Sequence, residues 1–434
     1  MYPTLRDIRN RRSPRDERRR WKPEVSANVV WLGVTSFLTD VSSEMVNAVL
    51  PLLLFFTLGF SKFELGLWNG AYQSIAVIAS LATAWLADRY RRYKEVAGAG
   101  YAASAASRIG LLATRASWLP ATLFIYGDRV AKGVRTAPRD ALISMSSDSR
   151  HLGEAFGVHR TFDTAGALGG PILAFLVLSA APGGYDVVFT TAFWVAVIGV
   201  AVFILFVHNP PTTIRRLRSA REVRRVDAKR LLSLPAFRRV VVAGLLLSCF
   251  FIADPLLYLT FQQKTSMSLE YFPLLFAGTA SVYTLLALPF GRLADRVRPA
   301  PVFLFGQFLV VIVDLMVLIR DPGPLALVIM IVALGTSYAA SDGVLAALTS
   351  GLLPPSMRTT GLAVLGSALA IGGFVASIGY GALWDWYGAT TAVHIFLGGF
   401  VIVWLIALVL LAPLRRGLST PAESEDQPRN SVTD

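Results

Sequence analysis

Charged residues are scarce in this chain, at 16% of 434 residues, whereas an average soluble domain carries about 25%. Hydrophobic residues make up 54% of the sequence. Apolar runs recur along the whole chain, and each is close to the roughly 20 residues that a helix needs to cross a bilayer. The composition therefore excludes a soluble fold and indicates a membrane protein.

Several kinds of chemistry are also missing. The single cysteine, Cys249, cannot form an internal disulfide. His159 and His394 stand apart from other metal-binding residue types, so no metal site is predicted. The chain has no Gly-x-x-x-x-Gly-Lys-Ser/Thr segment, so direct drive by ATP is not expected. We predict no cofactor and no enzymatic activity.

Twelve apolar segments have the length of membrane-spanning helices. The segment 208–236 divides them into six and six. The predicted fold is therefore an all-α membrane protein with two six-helix bundles, 28–207 and 237–413, related by pseudo-twofold symmetry. The predicted spans are residues 28–57, 65–88, 94–115, 118–145, 153–181, 185–207, 237–262, 270–293, 299–319, 324–350, 357–384 and 389–412.

The net charge of +13 follows from membrane topology. Basic residues concentrate in the tail 1–27 and the linker 208–236, and cytoplasmic segments carry such an excess. We expect both of these, and a disordered tail at 414–434, in the cytoplasm, with the spans in the inner or plasma membrane. Anionic lipid headgroups are compatible partners. Nucleic acid is not expected, because no aromatic platform accompanies the charge. The only basic residues in the predicted outer loops are Lys62, Arg115, Lys264 and Arg320.

The first 27 residues hold nine Lys or Arg residues, and no small-residue cleavage pattern closes the long apolar run that follows. A secretory signal peptide has a short apolar region and such a cleavage site. We therefore expect the first span to stay in the mature protein.

The sequence Leu-Ala-Asp-Arg occurs at 86–89 and again at 293–296, at the end of the second span of each half. Its repetition indicates that the chain arose by duplication, which is common among transporters. A carboxylate at such a position can pair with arginines and cap a neighbouring helix, favouring one conformation. An ordinary solvated turn is the alternative interpretation. We predict a gating role for Asp88, Arg89, Asp295 and Arg296.

Four spans carry charges at membrane depth. A charge at the bilayer centre costs at least about 2.5–3.5 kcal/mol on insertion scales, so these residues should face one another or water. They are Asp40 and Glu44 in span one, Asp128, Arg129, Lys132, Arg135 and Arg139 in span four, Asp254 in span seven and Asp342 in span ten.

The spacing of these charges places them on shared helix faces. Asp40 and Glu44 are four residues apart. From Asp128 to Arg139, spacings of four, three and four residues place four charged side chains in one stripe, running from mid-membrane to the cytoplasm. One interpretation is a static ion-pair network that only orients the helices. The other is handling of substrate or protons.

Twelve spans, a basic central segment and a duplicated Asp-Arg loop resemble the major facilitator superfamily over residues 28–413. The loop motif of that family is Gly-x-Leu-Ala-Asp-Arg-x-Gly-Arg. This chain has Ala84 and Arg91 at the two glycine positions of the first copy, and Gly291 and Arg298 in the second. The resemblance implies that spans one, four, seven and ten line a central cavity.

Two further motifs add to the resemblance, one to the family in span four and one to its proton-coupled antiporter branch in span five. In span four, Arg129 and Gly133 match the pattern Arg-x-x-x-Gly, which implies that Arg129 couples transport to protons. An arginine that moves away from a buried carboxylate changes the affinity of that carboxylate for a proton.

Span five contains Gly157, Gly166 and Gly170-Pro171 at the antiporter spacing, followed by Ala174-Phe175 where the pattern has two glycines. Glycines permit close helix contact and proline bends a helix, so we assign gating to Gly166, Gly170 and Pro171. In the same span, Arg160 and Asp163 are expected to neutralise each other.

These observations predict a secondary transporter that exports a small organic molecule in exchange for protons by alternating access. The cationic stripe favours an anionic substrate. A proton-driven importer of an anionic nutrient and a non-transporting receptor or scaffold are the alternatives. The expected protein is a monomer whose partners are a small-molecule substrate, protons and the lipid bilayer. We assign proton coupling to Asp40, Glu44, Asp128 and Arg129, and substrate binding to Lys132, Arg135, Asp254 and Asp342.

Overall fold

The structure is a computed structural model, and the described part of the chain excludes most of both tails and of the linker. The predicted tail 1–27 and linker 208–236 therefore lie largely outside the described residues, as does 417–434. Side chains are described throughout these ranges except at 76, 77, 80–90, 153, 359, 415 and 416. The described ranges are 26–90, 92–113, 117–147, 152–209, 231–265, 267–354 and 357–416.

Six helices form the N-terminal bundle, one for each predicted span. The first begins after Ser26, whose Oγ accepts a hydrogen bond from the Val29 backbone N–H at 3.4 Å, as an N-cap serine does. It continues into one π-helical turn, Leu53–Thr57. The helices are α1 Ala27–Leu52, α2 Lys62–Tyr90, α3 Tyr93–Ala113, α4 Trp118–Met145, α5 Leu152–Ala180 and α6 Tyr185–Phe206.

The C-terminal bundle uses more helices for its six spans, because spans seven and ten are each interrupted. The helices are α7 Pro235–Ser248, α8 Asp254–Thr265, α9 Phe272–Val297, α10 Pro299–Leu318, α11 Pro324–Ala339, α12 Asp342–Gly351, α13 Arg358–Tyr387 and α14 Ala389–Arg416.

The continuous helices predicted for 237–262 and 324–350 are therefore wrong in detail. In span seven the chain leaves the helix after Ser248 and α8 starts at Asp254, where Pro255 lacks an N–H and suits a helix start. In span ten, α12 begins at Asp342. Each break places a carboxylate at the N-terminus of a half-helix.

The two bundles repeat the same helix pairings, which confirms the predicted two-bundle, all-α fold. In the first half, span one packs on spans five and six, span two on four, and span three on four and six. In the second half, span seven packs on eleven and twelve, eight on ten, and nine on ten and twelve. Span two also packs on span eleven, and span five packs on span eight. The pseudo-twofold axis that relates the two halves maps one of these interfaces onto the other.

Among the described residues, eight helical segments are apolar and long enough to span a membrane by length and composition alone. The remaining spans, two, three, four and seven, fall outside that set. Span seven falls outside because it is divided into two short helices, of 14 and 12 residues. Span four falls outside because it carries the charged stripe, whose residues face partners inside the protein.

The bundles are in close contact at the end that lies opposite Ala27 and Arg416, here called the distal end. A Cβ at Gly66 of α2 would overlap the carbonyl oxygen of Ser377 on α13. The buried Asn69 Nδ2 donates a hydrogen bond to the Ser377 Oγ at 3.1 Å. Glycine is thus required for this close approach, and helices α2 and α13 close the distal end.

A carboxylate from the C-terminal bundle completes this closure. Asp385, near the end of α13, accepts hydrogen bonds from the backbone N–H groups of Lys62 at 3.2 Å and Phe63 at 3.1 Å. These are unpaired donors at the start of α2, and a negative charge is favourable there. Asp385 therefore caps a helix of the opposite bundle.

Candidate functional site

The charges predicted in spans one and four meet inside the N-terminal bundle. Asp40 Oδ1 lies 3.4 Å from Arg135 Nη2, and Glu44 Oε1 lies 3.7 Å from Lys132 Nζ. Span four therefore presents its stripe to span one, as the spacing predicted. Each acid of α1 is neutralised by a cation of α4, and these two cations lie about one helical turn apart.

Asp128 has two cationic partners. Its Oδ1 lies 2.6 Å from Arg108 Nη1, and its Oδ2 lies 2.9 Å from Arg129 Nη2. Ser104 on α3 also donates a short hydrogen bond to Asp128. The guanidinium of Arg129 stacks on the Tyr72 ring, 4.4 Å from its centroid. Asp128 therefore joins α3 to α4, and Arg129 carries the link on to α2.

The sequence analysis did not identify Arg108, which is almost fully buried at the centre of this network. Its Nε donates to Ser42 Oγ and its Nη2 to Ser43 Oγ, both at 2.7 Å. It thereby joins α1 to α3 and to Asp128. A signal was available, because Arg108 is a charge within an apolar span rich in small residues. Span three was overlooked because the resemblance directs attention to spans one, four, seven and ten.

Arg135 is enclosed, with only 2% of its side chain exposed. Its guanidinium stacks on the Tyr101 ring at 4.9 Å and donates to Ser104 Oγ at 3.2 Å, in addition to pairing with Asp40. In this conformation Arg135 does not line the cavities described below. Its predicted contact with substrate stays a prediction that this arrangement does not favour.

Span five contributes a further set of partners. Asp163 Oδ2 lies 3.8 Å from Arg139 Nη1 and 3.4 Å from His159 Nδ1. Arg160 is exposed and forms no ion pair with Asp163, so the expected neutralisation of Asp163 by Arg160 is wrong. The i, i+4 spacing of His159 and Asp163 brings those two side chains onto one face instead.

The predicted gating glycines of α5 lie against the acidic face of α1. A Cβ at Gly166 would lie 3.0 Å from the Asp40 Cβ, and one at Gly170 would lie 2.7 Å from the Glu44 Cβ. A Cβ at Gly166 would also lie 2.8 Å from the Phe37 carbonyl oxygen, so at both positions a side chain would force the helices apart. Pro171 lies within α5, which continues through it to Ala180. The motif therefore sets the position of α5 on the two carboxylates.

A central cavity of about 410 Å³ lies between the two bundles. Glu44 enters it from α1 and Asp254 from α8, so the network and the cavity share one carboxylate. The remaining wall is aromatic, amide or apolar. The polar and aromatic lining residues are Asn47, Trp68, Asn69, Tyr72, Gln73, Phe251, Phe276, Tyr338 and Ser377.

A second cavity, also of about 410 Å³, lies within the C-terminal bundle and contains Asp342. It shares Phe251, Tyr338 and Leu369 with the central cavity, so the two are contiguous. Its lining includes residues of α12 and of the first half of α13, which places it nearer the end at which the chain termini lie. The cavity system therefore extends from the centre away from the closed distal end.

The carboxylates within the C-terminal spans differ from those of the N-terminal bundle. Asp254 Oδ1 accepts a hydrogen bond from the Tyr338 hydroxyl at 2.5 Å. In the described part of the chain, no Lys or Arg lies within ion-pair distance of Asp254, Asp314 or Asp342. Asp314 is 1% exposed, and its Oδ2 has no hydrogen-bond partner among the described residues.

The two predicted gating loops are described to different extents. Asp295 and Arg296 end α9 and are exposed, and Asp295 forms no ion pair within the described residues. Asp88 and Arg89 fall in the last turn of α2, but their side chains lie outside those described. Gating by these four residues stays a prediction.

Comparison with known proteins identifies the family. The Major Facilitator Superfamily model matches residues 32–277 and 249–434. An uncharacterised MFS-type transporter of Methanocaldococcus jannaschii is 31% identical over 398 residues, covering 89% of this chain and 95% of that protein. An uncharacterised protein of Mycobacterium tuberculosis is 31% identical over 167 residues, which is 38% of this chain and 40% of that one.

Solved structures show the same fold at low identity. The nucleoside transporter NupG superposes with a TM-score of 0.73 at 15% identity, covering 88% of this chain and 99% of that one. A POT family transporter in complex with 5-aminolevulinic acid gives 0.74 at 14% identity, covering 90% and 96%. The chain is therefore a multi-pass membrane transporter, and it belongs to the major facilitator superfamily.

Proposed function

We propose that this protein is a secondary active transporter that exports a small organic molecule in exchange for protons by alternating access. The observation that carries the proposal is Glu44, which lines the central cavity and is also paired with Lys132 of the buried network. An occupant of the cavity can therefore act directly on a group that also binds protons. That shared position is what exchange of substrate for proton requires.

The remaining roles follow from this arrangement. Asp40, Glu44 and Asp128 are the proton carriers, and Arg129 adjusts Asp128 by direct contact. Asp254 and Asp342 contact the substrate in the two contiguous cavities, with Lys132 at their edge. Arg135 holds Asp40 in position.

Export is supported by the antiporter motif of span five, whose glycines lie directly on Asp40 and Glu44. Movement of α5 relative to α1 would disturb both acids at once. With both termini in the cytoplasm, the closed distal end faces outward and the cavities extend toward the cytoplasm. The membrane is the cell inner or plasma membrane, and the protein acts as a monomer.

The test requires a transported compound, which a comparison of metabolites in cells with and without the protein would supply. Proteoliposomes would then measure uptake of that compound driven by a pH gradient, and exchange of labelled for unlabelled compound. The variants are Glu44→Gln, Asp40→Asn and Asp128→Asn. Neutralising the residue that carries the proton should abolish the gradient-driven flux. It should spare exchange, which moves no net proton. Asp321→Asn, in an exposed loop, is the control. Full gradient-driven flux in all three variants would refute the assignment.

A further inference from the structure

The central cavity has an acidic lining. Glu44 and Asp254 face it, and no Lys, Arg or His is among the described residues that line it. Asn47 Nδ2 donates to Glu44 Oε2 at 3.0 Å, which holds that carboxylate in place. The walls therefore present negative charge to an occupant.

The basic stripe does not offset this charge, because its cations are already paired. Arg129 shares Asp128 with Arg108, Arg135 is paired with Asp40, and Arg139 contacts both Asp140 and Asp163. These four cations are therefore balanced by four carboxylates. Only Lys132 is substantially accessible, at 34% of its side chain, and it lies against Glu44. After that pairing the cavity keeps the charge of Asp254. The stripe that favoured an anionic substrate in the sequence is thus neutralised inside the N-terminal bundle.

Asp254 is placed to bind a cation, because it lines the central cavity. It occupies the first turn of α8, where the helix dipole favours a negative charge. Its Oδ1 accepts a hydrogen bond from the Tyr338 hydroxyl. A cationic ligand would add the charge partner that Asp254 lacks in the described part of the chain.

Two aromatic walls face each other across the bundles. Trp68 and Tyr72 of α2 stack with their ring centroids 4.9 Å apart, and Phe251 and Tyr338 of the C-terminal bundle lie 6.0 Å apart. The Arg129 guanidinium already lies on the Tyr72 ring, so these walls offer apolar contact to the body of a ligand and leave its charge to Asp254. Charge and aromatic walls together match an amine carried on a flat or apolar body.

We propose that the central cavity binds an organic cation, with its ammonium group at Asp254 and its body between the Trp68–Tyr72 and Phe251–Tyr338 walls. The cavity volume of about 410 Å³ fits a small molecule. The assignment rests on the proposed function in that the occupant is taken to be the transported substrate. It replaces the anionic substrate class expected from the stripe.

The test is equilibrium binding to the purified full-length chain, with no ion gradient. Probes come in sets that share a framework and differ in charge: tryptamine, tryptophol and indole-3-acetate, then phenethylamine, phenethyl alcohol and phenylacetate. We expect the amine of at least one set to bind at least tenfold more tightly than its alcohol and its acid. Asp254→Asn keeps the acceptor for Tyr338 and removes the charge, so it should abolish that preference. Asp321→Asn, an exposed loop carboxylate, should retain it.

A preference for the acids, equal binding within every set, or no binding by either amine would overturn the proposal. An unchanged preference for the amine in Asp254→Asn would also overturn it, because another residue would then bind the ammonium group. Since no gradient is applied, the result does not depend on proton coupling. Charge-selective binding without proton-driven flux would support the cation site and refute the proposed antiport. Proton-driven flux without charge-selective binding would support the antiport and refute the cation site.

Discussion

The capping of α2 by Asp385 predicts how firmly the distal end is held closed. Asp385→Ala removes both acceptors for the Lys62 and Phe63 backbone N–H groups, which lie at 3.2 and 3.1 Å. Because these hydrogen bonds join the two bundles, they exist only while the distal end is closed. Their loss should therefore destabilise the closed state relative to the open one and leave each bundle intact.

The size of the effect follows from helix capping. Replacing a capping side chain by alanine costs about 0.5–2 kcal/mol, typically about 1. A change of 1–2 kcal/mol alters a two-state ratio by a factor of about 5–30. Asp385 is exposed, so the lower part of that range applies, and the effect should shrink at high salt. Asp385→Asn should have a smaller effect, because asparagine keeps one acceptor and also caps helices well.

Electron–electron distance measurements would detect this shift. In a Cys249→Ala background, nitroxides at Asp186→Cys on α6 and Arg320→Cys on the opposite bundle report the separation of the distal ends. We expect Asp385→Ala to increase the population at long distance about fivefold, with Asp385→Asn intermediate and Asp321→Ala unchanged. Identical distributions in the parent protein and in Asp385→Ala would show that the cap contributes nothing to closure.

Three further predictions address the network, the glycine contact and the loops. Arg108→Ala removes one of the two cationic partners of Asp128 and the donors to Ser42 and Ser43, so it should lower stability by about 1–3 kcal/mol in a thermal unfolding assay, more than a surface arginine substitution. Gly170→Val should block transport at normal membrane abundance by pushing α5 off Glu44, whereas valine at the exposed Gly398, where a Cβ meets nothing, should be tolerated. Asp295→Asn should slow transport without weakening substrate binding, and an unchanged rate would reduce that loop to a solvated turn.

The sequence predicted the architecture well because the bilayer constrains it. Span lengths, the division at 208–236 and the shared faces of Asp40, Glu44 and the stripe follow from helix geometry and hydrophobicity alone. The breaks before Asp254 and Asp342 were missed, since both lie inside runs whose hydropathy is that of a continuous span. At Ala340 and Ser341 no proline or glycine marks the interruption.

The charge of the central cavity could not be predicted, for a different physical reason. Counting charges on span four gives the cations of the stripe, but the field in the cavity depends on which of them are neutralised. That is decided by contacts with α1 and α5, far away in sequence. Arg135 illustrates this, because its partner Asp40 lies 95 residues earlier. The stripe was expected to bind an anion, but most of its cations form ion pairs within the N-terminal bundle.

The contrast between the bundles bears on how the two halves could act together. In the N-terminal bundle, Asp40, Glu44 and Asp128 each have a cationic partner, so a change there requires a proton or a movement that separates a pair. In the C-terminal bundle, Asp254 and Asp342 begin the half-helices α8 and α12. A ligand that neutralises Asp254 would reach both the end of a half-helix and, through Glu44, the paired network. One occupant would thereby bias elements of both bundles, which is the condition for coupling between a substrate and a proton.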